Sequence, residues 1–297
     1  TAKIKHLKNV LITGASGMLG SNMCLLMNIN YNVTGTYFSN KPNINNIHMV
    51  KMDIRNKKQC QKVVKTIEPD IVIHCAAITD MDLCETNQTL AYDVNTFGTE
   101  NILDSINKDC HFIYISTDNV YNNEKQFNRE DSKLNPTNIY GESKQKAEQI
   151  IINSNNKYTI LRTNIFGWHL LKQNTGLLNF IYNNLKEKKT TTLFKDVYFT
   201  PISIPIFIEG LKNIIDTEIF GMFNFAGIER ISKLDFGLII ADVFGLDKSF
   251  IIPISIDEKY FIAKRPKEMS MDSTKISNHV KVPKTAIEQI VELGLPN

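Results

Sequence analysis

The 297-residue sequence has no long apolar run, no large excess of charge of either sign and no pair of cysteines in CxxC spacing. Because a membrane-spanning helix needs about 20 apolar residues, we expect no membrane segment, and no signal-peptide pattern is present. A net charge of +3 is too small to favour nucleic acid or a membrane surface as a partner. The five cysteines are scattered and odd in number, which argues against a disulfide framework and a structural zinc site. We therefore expect a protein of the reducing cytoplasm without a bound metal.

The first half of the sequence alternates short apolar strands with helical patterns. Strands are predicted at 9–13, 31–37, 47–52, 70–77, 111–117 and 158–163, with helices at about 18–28, 56–67, 90–107 and 138–153. This alternation predicts an α/β fold with a Rossmann-type, doubly wound parallel sheet.

After Arg162 the alternation loosens, with helices expected near 175–188, 203–215 and 232–244. We predict a first domain over 1–164 and a smaller C-terminal substrate-binding lobe over 165–297. Segments at about 200–225 are expected to return to the first domain.

Three glycines, Gly14, Gly17 and Gly20, follow the first predicted strand in "TGASGMLG" (13–20). Backbone without side chains lets a diphosphate approach the N-terminus of the next helix. Together with Ser16, Met18 and Leu19 of the same turn, the glycines predict a dinucleotide site in the first domain. The alternative is a tight strand-to-helix turn with no ligand.

Acidic residues are absent from the chain before Asp53. A protein that binds NAD usually keeps an acid about 20 residues after the glycines, where it holds the ribose 2′-hydroxyl. The corresponding stretch, "VTGTYFSNKP" (33–42), instead offers Tyr37, Ser39, Asn40 and the cation Lys41. These groups suit a 2′-phosphate and predict NADP(H) as the cofactor. A polar surface turn has the same composition and remains the alternative.

Two motifs place hydroxyl groups and a cation where a carbonyl could be reduced. "YISTDNVY" (114–121) brings Thr117 to the carboxyl end of the fifth strand, where ligands bind in such sheets. "YGESK" (140–144) sets Tyr140 one helical turn before Lys144. A cation beside a tyrosine should move its pKa toward neutrality, so that the phenol could donate a proton at physiological pH. Most pairs at this helical spacing do no chemistry, which is the alternative.

Several motifs together resemble the extended short-chain dehydrogenase/reductase family, and within it the dTDP-4-dehydrorhamnose reductases. They are GxxGxxG at 14–20, "HCAAITDMDLCE" (74–85), "DVNTFGT" (93–99), "STDNVY" (116–121), "YGESK" (140–144), "LRTNIFG" (161–167) and "AKRPKEMSMDSTKI" (263–276). The resemblance covers nearly the whole chain. One departure is Ile165, which stands where rhamnose-pathway reductases usually carry a tryptophan; Trp168 follows shortly after.

The resemblance implies a role for individual residues. Thr117, Tyr140 and Lys144 match the catalytic hydroxyl, tyrosine and lysine, the last two also touching the cofactor. Further cofactor contacts are implied for Asp53 and Ile54 at the adenine, for Ala76, Ala77 and Thr79 under the cofactor, and for Asn95, which braces the active-site helix. Substrate contacts are implied for Thr117, Asp118, Asn119, Asn164, His169 and Arg265. Arg265 is expected at the substrate diphosphate, with an ordinary surface arginine as its alternative.

The expected function is reduction of a nucleotide-linked 4-keto-6-deoxysugar by NADPH. One alternative is a bifunctional 3,5-epimerase/4-reductase; Asn119 stands where that branch has a cysteine, and His169 matches its histidine. A second alternative is a non-catalytic, NADP-binding regulatory subunit like the β subunit of methionine adenosyltransferase. By analogy with relatives, a homodimer is expected.

Overall fold

The computed structural model describes residues 7–121, 124–171, 175–283 and 285–296. Its first part contains β1 (Asn9–Thr13), α1 (Met18–Met27), β2 (Asn32–Tyr37), β3 (His48–Lys51), α2 (Lys57–Ile67), β4 (Ile71–His74), α3 (Met81–Thr86), α4 (Gln88–Tyr92), a π turn (Asp93–Phe97) and α5 (Gly98–Leu103). There follow β5 (His111–Thr117), a 3₁₀ turn (Asp118–Val120), α6 (Ile139–Asn153), β6 (Lys157–Thr163) and β7 (Ile165–Phe166).

The remaining elements alternate less regularly. They are α7 (Leu177–Lys186), β8 (Thr191–Phe194), β9 (Tyr198–Phe199), β10 (Ile202–Ser203), α8 (Ile204–Asp216), β11 (Gly221–Asn224), β12 (Ile231–Ser232), α9 (Lys233–Val243), β13 (Ile251–Ile254), β14 (Glu268–Met269), α10 (Thr274–Ser277) and α11 (Ala286–Leu293). Short 3₁₀ turns occupy Lys248–Phe250 and Ile256–Glu258. In the described part of the chain, no helix combines the length and the apolar character that a membrane crossing requires.

Seven strands form one parallel sheet in the order β11-β6-β5-β4-β1-β2-β3. The predicted Rossmann-type α/β fold is therefore confirmed. Between β1 and β4 the direction of strand addition reverses. At such a reversal the loops after the two strands separate and leave a crevice at their carboxyl ends, where ligands bind.

Two of the apolar clusters divide the elements that follow β6 between them. One packs α1 and α8 against the large sheet and includes Met23, Phe207 and Leu211. The other joins α7, α9 and α11 to the small strands of the C-terminal part. Strand β11 pairs with β6 of the large sheet, so α8 and β11 lie with the first core although they follow residue 164 in sequence. The division at residue 164 stays a prediction.

The prediction of one unbroken α-helix over 90–107 is wrong, because the π turn at Asp93–Phe97 separates α4 from α5. The wider turn turns Asn95 inward, where its side chain accepts a hydrogen bond from Ile78 N (2.8 Å) and donates one to Ile78 O (3.0 Å). Strand β4 also ends earlier than predicted, at His74, since Cys75 N and Ala76 N donate to the Thr13 hydroxyl instead of a neighbouring strand (both 3.2 Å).

A buried ion pair fastens α6 to the sheet. The guanidinium of Arg162 on β6 donates from Nε and Nη2 to the two carboxylate oxygens of Glu148 on α6, at 3.0 and 2.6 Å. The exposed fractions of the two side chains are 0% and 1%. Ser116 on β5 donates to the same carboxylate at 2.6 Å, and Arg162 Nη1 donates to the Tyr121 hydroxyl at 2.9 Å. Each charge therefore has several polar partners.

We expect Glu148→Ala to lower the free energy of unfolding by about 3–5 kcal/mol, because Arg162 would stay buried without its counter-charge. Urea denaturation measures this change. Glu142→Ala is the control on the same helix, since Glu142 pairs with Lys146 at the surface at 3.0 Å, and its loss should be under about 1 kcal/mol. A double variant, Glu148→Leu with Arg162→Met, should recover much of the loss. Equal losses of unfolding free energy in Glu148→Ala and Glu142→Ala would contradict the stabilising role of the buried pair.

Candidate active site

A groove of ≈ 600 Å³ follows the carboxyl ends of the strands at the reversal of strand order. Ten of the predicted cofactor residues line it: Gly14, Ser16, Gly17, Met18, Tyr37, Asp53, Ile54, Ala76, Ala77 and Thr79. His169, predicted as a substrate contact, also lines this groove. Among the described residues, no cluster of three or more His, Cys, Asp or Glu side chains could hold a metal ion.

The glycine turn leaves backbone N–H groups open at the start of α1. Gly14 has φ +73°, and a side chain there would meet the backbone of Ala76 at 2.8 Å. The N-cap position of α1 is Gly17, without a side-chain cap, and its first turn carries no acid. Open N–H groups at a helix N-terminus suit an anion such as a diphosphate.

Leu19 and Gly20 do not line the groove, although the sequence predicts them as cofactor contacts. Leu19 packs into the first apolar core. A Cβ at Gly20 would lie 2.3 Å from Gly14 O, so this glycine permits the close approach of α1 to the turn that precedes it. Both residues therefore shape the turn from behind.

The far end of the groove, in the loop after β3, carries an arginine that the sequence motifs did not single out. Arg55 lines the groove, pairs with Asp53 through Nε (2.9 Å) and Nη2 (2.7 Å), and lies 5.1 Å from the ring centroid of Phe38. Hydrogen bonds from Arg55 lower the pKa of Asp53. The predicted contacts Ser39, Asn40 and Lys41 are exposed and do not line the groove. The position of Arg55, directly after Asp53 and Ile54, was the available signal.

A chain of hydrogen bonds runs beneath the groove from β1 to the π turn. The Thr13 hydroxyl accepts from Ala76 N and pairs with His74 Nδ1 at 2.7 Å. On the other side, His74 Nε2 lies 3.1 Å from the Thr99 hydroxyl, which itself donates to Asn95 O at 2.8 Å. Since Thr99 donates onward, His74 must donate from Nε2 and accept at Nδ1, which is the neutral form. Burial lowers the pKa of His74 to about 3 and keeps it neutral.

The π turn also holds the helix that carries Tyr140 and Lys144. The Asn95 amide donates to the Ser143 hydroxyl at 3.0 Å, and the Thr96 hydroxyl donates to Ser143 O at 2.8 Å. Asn95 does not line the groove. Its contacts act on α6, and the cofactor-site role that the family resemblance implied for it stays a prediction.

Thr117 and Tyr140 meet at the carboxyl end of β5. Helix α6 starts at Ile139 because the side chain of Asn138 accepts a hydrogen bond from Gly141 N at 2.9 Å. A Cβ at Gly141 would lie 2.2 Å from Asn119 O, so the glycine of "YGESK" lets the helix reach the loop after β5. The Tyr140 ring is buried and packs in one cluster with Ile78, which lines the groove.

The pKa of Tyr140 is raised above its ordinary value of 10. Burial is the main cause; the Thr117 hydroxyl opposes the rise and the charge of Asp118 adds to it. The expectation that Lys144 lowers this pKa is not met here, because the Lys144 ammonium is directed elsewhere. It donates to Ile115 O at 2.7 Å and lies 4.1 Å from the Tyr114 ring centroid. Tyr140 thus keeps its proton at neutral pH, as an acid requires.

Burial has the opposite effect on Lys144, whose pKa falls to about 7, with the charge of Glu148 partly countering the fall. The ammonium form is therefore present in part at neutral pH. A lysine in this state can donate hydrogen bonds to a bound ligand in place of Ile115 O.

Asp118 and Asn119 lie in the 3₁₀ turn after Thr117, and both are buried. Asp118 Oδ1 accepts hydrogen bonds from the Thr117 hydroxyl (2.8 Å) and from Asn119 Nδ2 (2.7 Å). Burial raises the pKa of Asp118, and the side chain of Asn164, after β6, is close enough to counter part of this rise. Asn164 also donates to Met269 O at 3.0 Å. These three predicted substrate residues are therefore gathered beside Thr117.

Arg265 stands apart from that group. Its Nη2 pairs with Asp82 at 3.0 Å, and its guanidinium lies 4.9 Å from the ring centroid of Phe261. A diphosphate at this arginine would have to compete with Asp82. The assignment of Arg265 to the substrate diphosphate stays a prediction.

A model of the RmlD substrate binding domain family matches residues 8–295. The chain belongs to this family. The predicted membership of the extended short-chain dehydrogenase/reductases, with likeness to dTDP-4-dehydrorhamnose reductases, is thereby confirmed.

Individual relatives of this RmlD-family protein are distant but extend over most of the chain. Methionine adenosyltransferase 2 subunit beta of Xenopus tropicalis is 24% identical over 283 residues, covering 91% of this chain and 81% of its own. The dTDP-4-dehydrorhamnose reductase of Aggregatibacter actinomycetemcomitans is 26% identical, covering 90% and 91%. The solved structure of dTDP-4-dehydrorhamnose reductase from Bacillus anthracis str. Ames in complex with NADP is 26% identical, with a TM-score of 0.83, covering 95% and 97%.

The neutral His74 of the RmlD-family protein predicts a loss of stability in acid. Its pKa is about 3 in the folded state against an ordinary value of 6.5, so the unfolded chain binds the extra proton between these values. The stabilisation is complete above pH 6.5 and is lost as the pH falls toward 3, by up to about 1.4 kcal/mol per pH unit. The free energy of unfolding, measured in urea from pH 7 downward, should lose part of this slope in His74→Gln. The exposed His48→Gln should keep it; unchanged slopes in both variants would refute the assignment.

Proposed function

We propose that this chain is an NADPH-dependent reductase of a nucleotide-linked 4-keto-6-deoxysugar. The observation that carries the proposal is the meeting of Thr117 and Tyr140 at the carboxyl end of β5, next to the groove that begins at Gly14. The likeness to a dTDP-4-dehydrorhamnose reductase structure that contains NADP supports both the cofactor and the substrate class.

The groove fits a dinucleotide in three respects. It has the volume for an extended ligand, it has an uncapped helix N-terminus at Gly17, and it has a cation, Arg55, in the loop after β3. NADPH, when bound, would supply a hydride to the carbonyl carbon. Lys144 would then bind the cofactor ribose, as the family resemblance implies.

Tyr140 would donate its proton to the carbonyl oxygen as negative charge develops there. Its raised pKa keeps the proton available at neutral pH. The Thr117 hydroxyl, beside it, would hydrogen-bond the same oxygen and fix its direction. Asp118 accepts a hydrogen bond from Thr117 at 2.8 Å and so orients that hydroxyl.

We expect Tyr140→Phe to lower kcat for a 4-keto-6-deoxy nucleotide sugar by a factor of about 10²–10⁴, because the proton donor is lost. The dissociation constant for NADPH should stay nearly unchanged, whereas Lys144→Ala should weaken both turnover and cofactor binding. NADPH oxidation followed by absorbance measures turnover. Tyr260→Phe, at an exposed tyrosine, is the control. Wild-type kcat in Tyr140→Phe would exclude Tyr140 as the acid.

NADPH should bind at least about tenfold more tightly than NADH, a difference that one charge-assisted phosphate contact can supply. Because Arg55 lines the groove and Lys41 does not, Arg55→Ala should reduce this preference more than Lys41→Ala. Fluorescence titration of the wild type and the two variants with both cofactors gives the three ratios needed. Equal dissociation constants for NADPH and NADH in the wild type would rule out the cofactor assignment.

Epimerisation at C3 or C5 would need a base on one face of the sugar and an acid on the other. The buried amide of Asn119 cannot act as a base, and His169 lines the cofactor groove. We therefore propose reduction without epimerisation. Incubation of the protein with NADP⁺ and a 4-keto-6-deoxy nucleotide sugar in D₂O, without reduction, separates the two, since enzyme-dependent deuterium at C3 or C5 would favour the bifunctional alternative.

A non-catalytic role is the second candidate, favoured by the likeness to methionine adenosyltransferase 2 subunit beta. The presence of Thr117, Tyr140 and Lys144 favours the enzyme. Turnover of any 4-keto nucleotide sugar decides between them, because a purely regulatory subunit would bind NADP(H) without oxidising it.

A cytoplasmic homodimer completes the proposal. Phe97 of the π turn is 51% exposed and shares a shallow surface hollow with Ile150 of α6. An exposed apolar side chain at the edge of a hollow between two helical segments suits a contact between two copies. Analytical ultracentrifugation of Phe97→Asp against the wild type tests this assembly.

A further inference from the structure

Lys233, the first residue of α9, is half-buried, and its ammonium group is close enough to Asp118 for the two charges to interact. Its Nζ lies 3.3 Å from the ring centroid of Phe199 and makes no hydrogen bond to any residue that the structure describes. The backbone is fixed, because Lys233 N donates to Val197 O at 2.9 Å and Ser232 and Asp235 form a capping box around it. The point from which this side chain starts is therefore fixed by the start of α9.

Stability of the helix does not explain a lysine at this position. A cation at a helix N-terminus opposes the helix dipole, and burial of an ammonium without hydrogen bonds has a further unfavourable effect. Burial lowers the pKa of Lys233 to about 8, while Asp118 is the one charge that acts in the opposite direction. Burial raises the pKa of Asp118, and the charge of Lys233 counters part of this rise. The two charges thus interact, one from the turn after β5 and one from α9.

Asp118, like Lys233, has a polar atom without a hydrogen-bond partner among the described residues. Its Oδ1 has two hydrogen-bond donors, but its Oδ2 is buried and has no partner among the described residues. A buried carboxylate oxygen without a donor is rare, and such an atom next to Thr117 is expected to face a ligand. The carboxylate oxygen Asp118 Oδ2 and the ammonium group of Lys233 are therefore both available to a ligand near Thr117.

We propose that Lys233 is a substrate-binding residue, and that Lys233 Nζ and Asp118 Oδ2 together bind hydroxyl groups of the sugar moiety. The inference rests on the proposed nucleotide-sugar substrate. A hydroxyl can donate to the carboxylate and accept from the ammonium at once. Because the two charges offset each other, a phosphate would gain from Lys233 but lose from Asp118. The pair therefore favours a neutral polar group, and its place beside Thr117 indicates the sugar instead of the nucleotide.

The experiment measures binding without turnover, so that it is independent of the reduction. Wild type and Lys233→Met, each saturated with NADP⁺, are titrated by calorimetry with dTDP-glucose, UDP-glucose and GDP-mannose, and with dTDP, UDP and GDP. Methionine keeps the packing on Phe199 and removes the charge. Lys186→Met is the matched control, since Lys186 lies on α7 of the same lobe with its Nζ 5.5 Å from the Tyr182 ring centroid.

Lys233→Met should weaken the preferred nucleotide sugar about tenfold or more, the usual effect of one hydrogen bond to a charged group. The matching nucleoside diphosphate and NADP⁺ should change less than about twofold, and Lys186→Met should change none of them. Lys233→Gln, which keeps a donor without charge, should lie between wild type and Lys233→Met. Equal weakening of sugar and diphosphate ligands would assign Lys233 to phosphate and overturn the inference.

No effect of Lys233→Met on any ligand, or a wild type that binds none of the nucleotide sugars, would also overturn it. Turnover of a 4-keto sugar is scored separately. Loss of sugar binding in Lys233→Met without turnover by the wild type would leave the sugar site standing and refute the reductase assignment alone.

Discussion

The buried pair between Arg162 and Glu148 is the contact on which the geometry of the catalytic helix depends. It joins β6 to α6 one turn after Lys144, and Ser116, which donates to the same carboxylate, directly precedes Thr117. The guanidinium also reaches Tyr121, whose hydroxyl donates to Asn224 of β11 at 2.6 Å. Since two buried charges are stable only when every polar atom is paired, the helix, the strand and the edge of the sheet must come together as one arrangement.

The opposite flank of α6 is held by neutral groups. Asn95 and Thr96 of the π turn bind Ser143, and Asn95 also binds both backbone groups of Ile78. The loop beside the groove and the helix that carries Tyr140 therefore share one fastening. Through Thr99 and His74 the same set of hydrogen bonds reaches Thr13 at the end of β1. The cofactor groove and the proposed acid are thus positioned by one continuous network.

Much of the fold followed from local patterns, because strands β1, β5 and β6 are apolar runs bounded by turn residues, and the glycine turn lies between a strand and a helix. Thr117 and Tyr140 could be placed for the same reason, since the carboxyl edge of a parallel sheet collects them. The π turn could not be predicted, because it depends on hydrogen bonds to Ile78 and Ser143, which are distant in sequence. Arg55 and Lys233 carry no motif of their own. The direction in which the pKa of Tyr140 shifts depends on burial and on where the Lys144 ammonium lies, and sequence spacing alone specifies neither.

The π turn at Asp93–Phe97 limits where residues can be inserted into the chain or deleted from it. A π turn contains one residue more than an α-helical turn. Deleting any one residue between α4 and α5 would restore a regular helix but rotate everything that follows by about 100° about the helix axis. Thr99 would then leave His74, and Asn95 would leave Ser143, although no side chain had been substituted. This segment is therefore intolerant of insertion and deletion, whatever the residue types at its exposed positions.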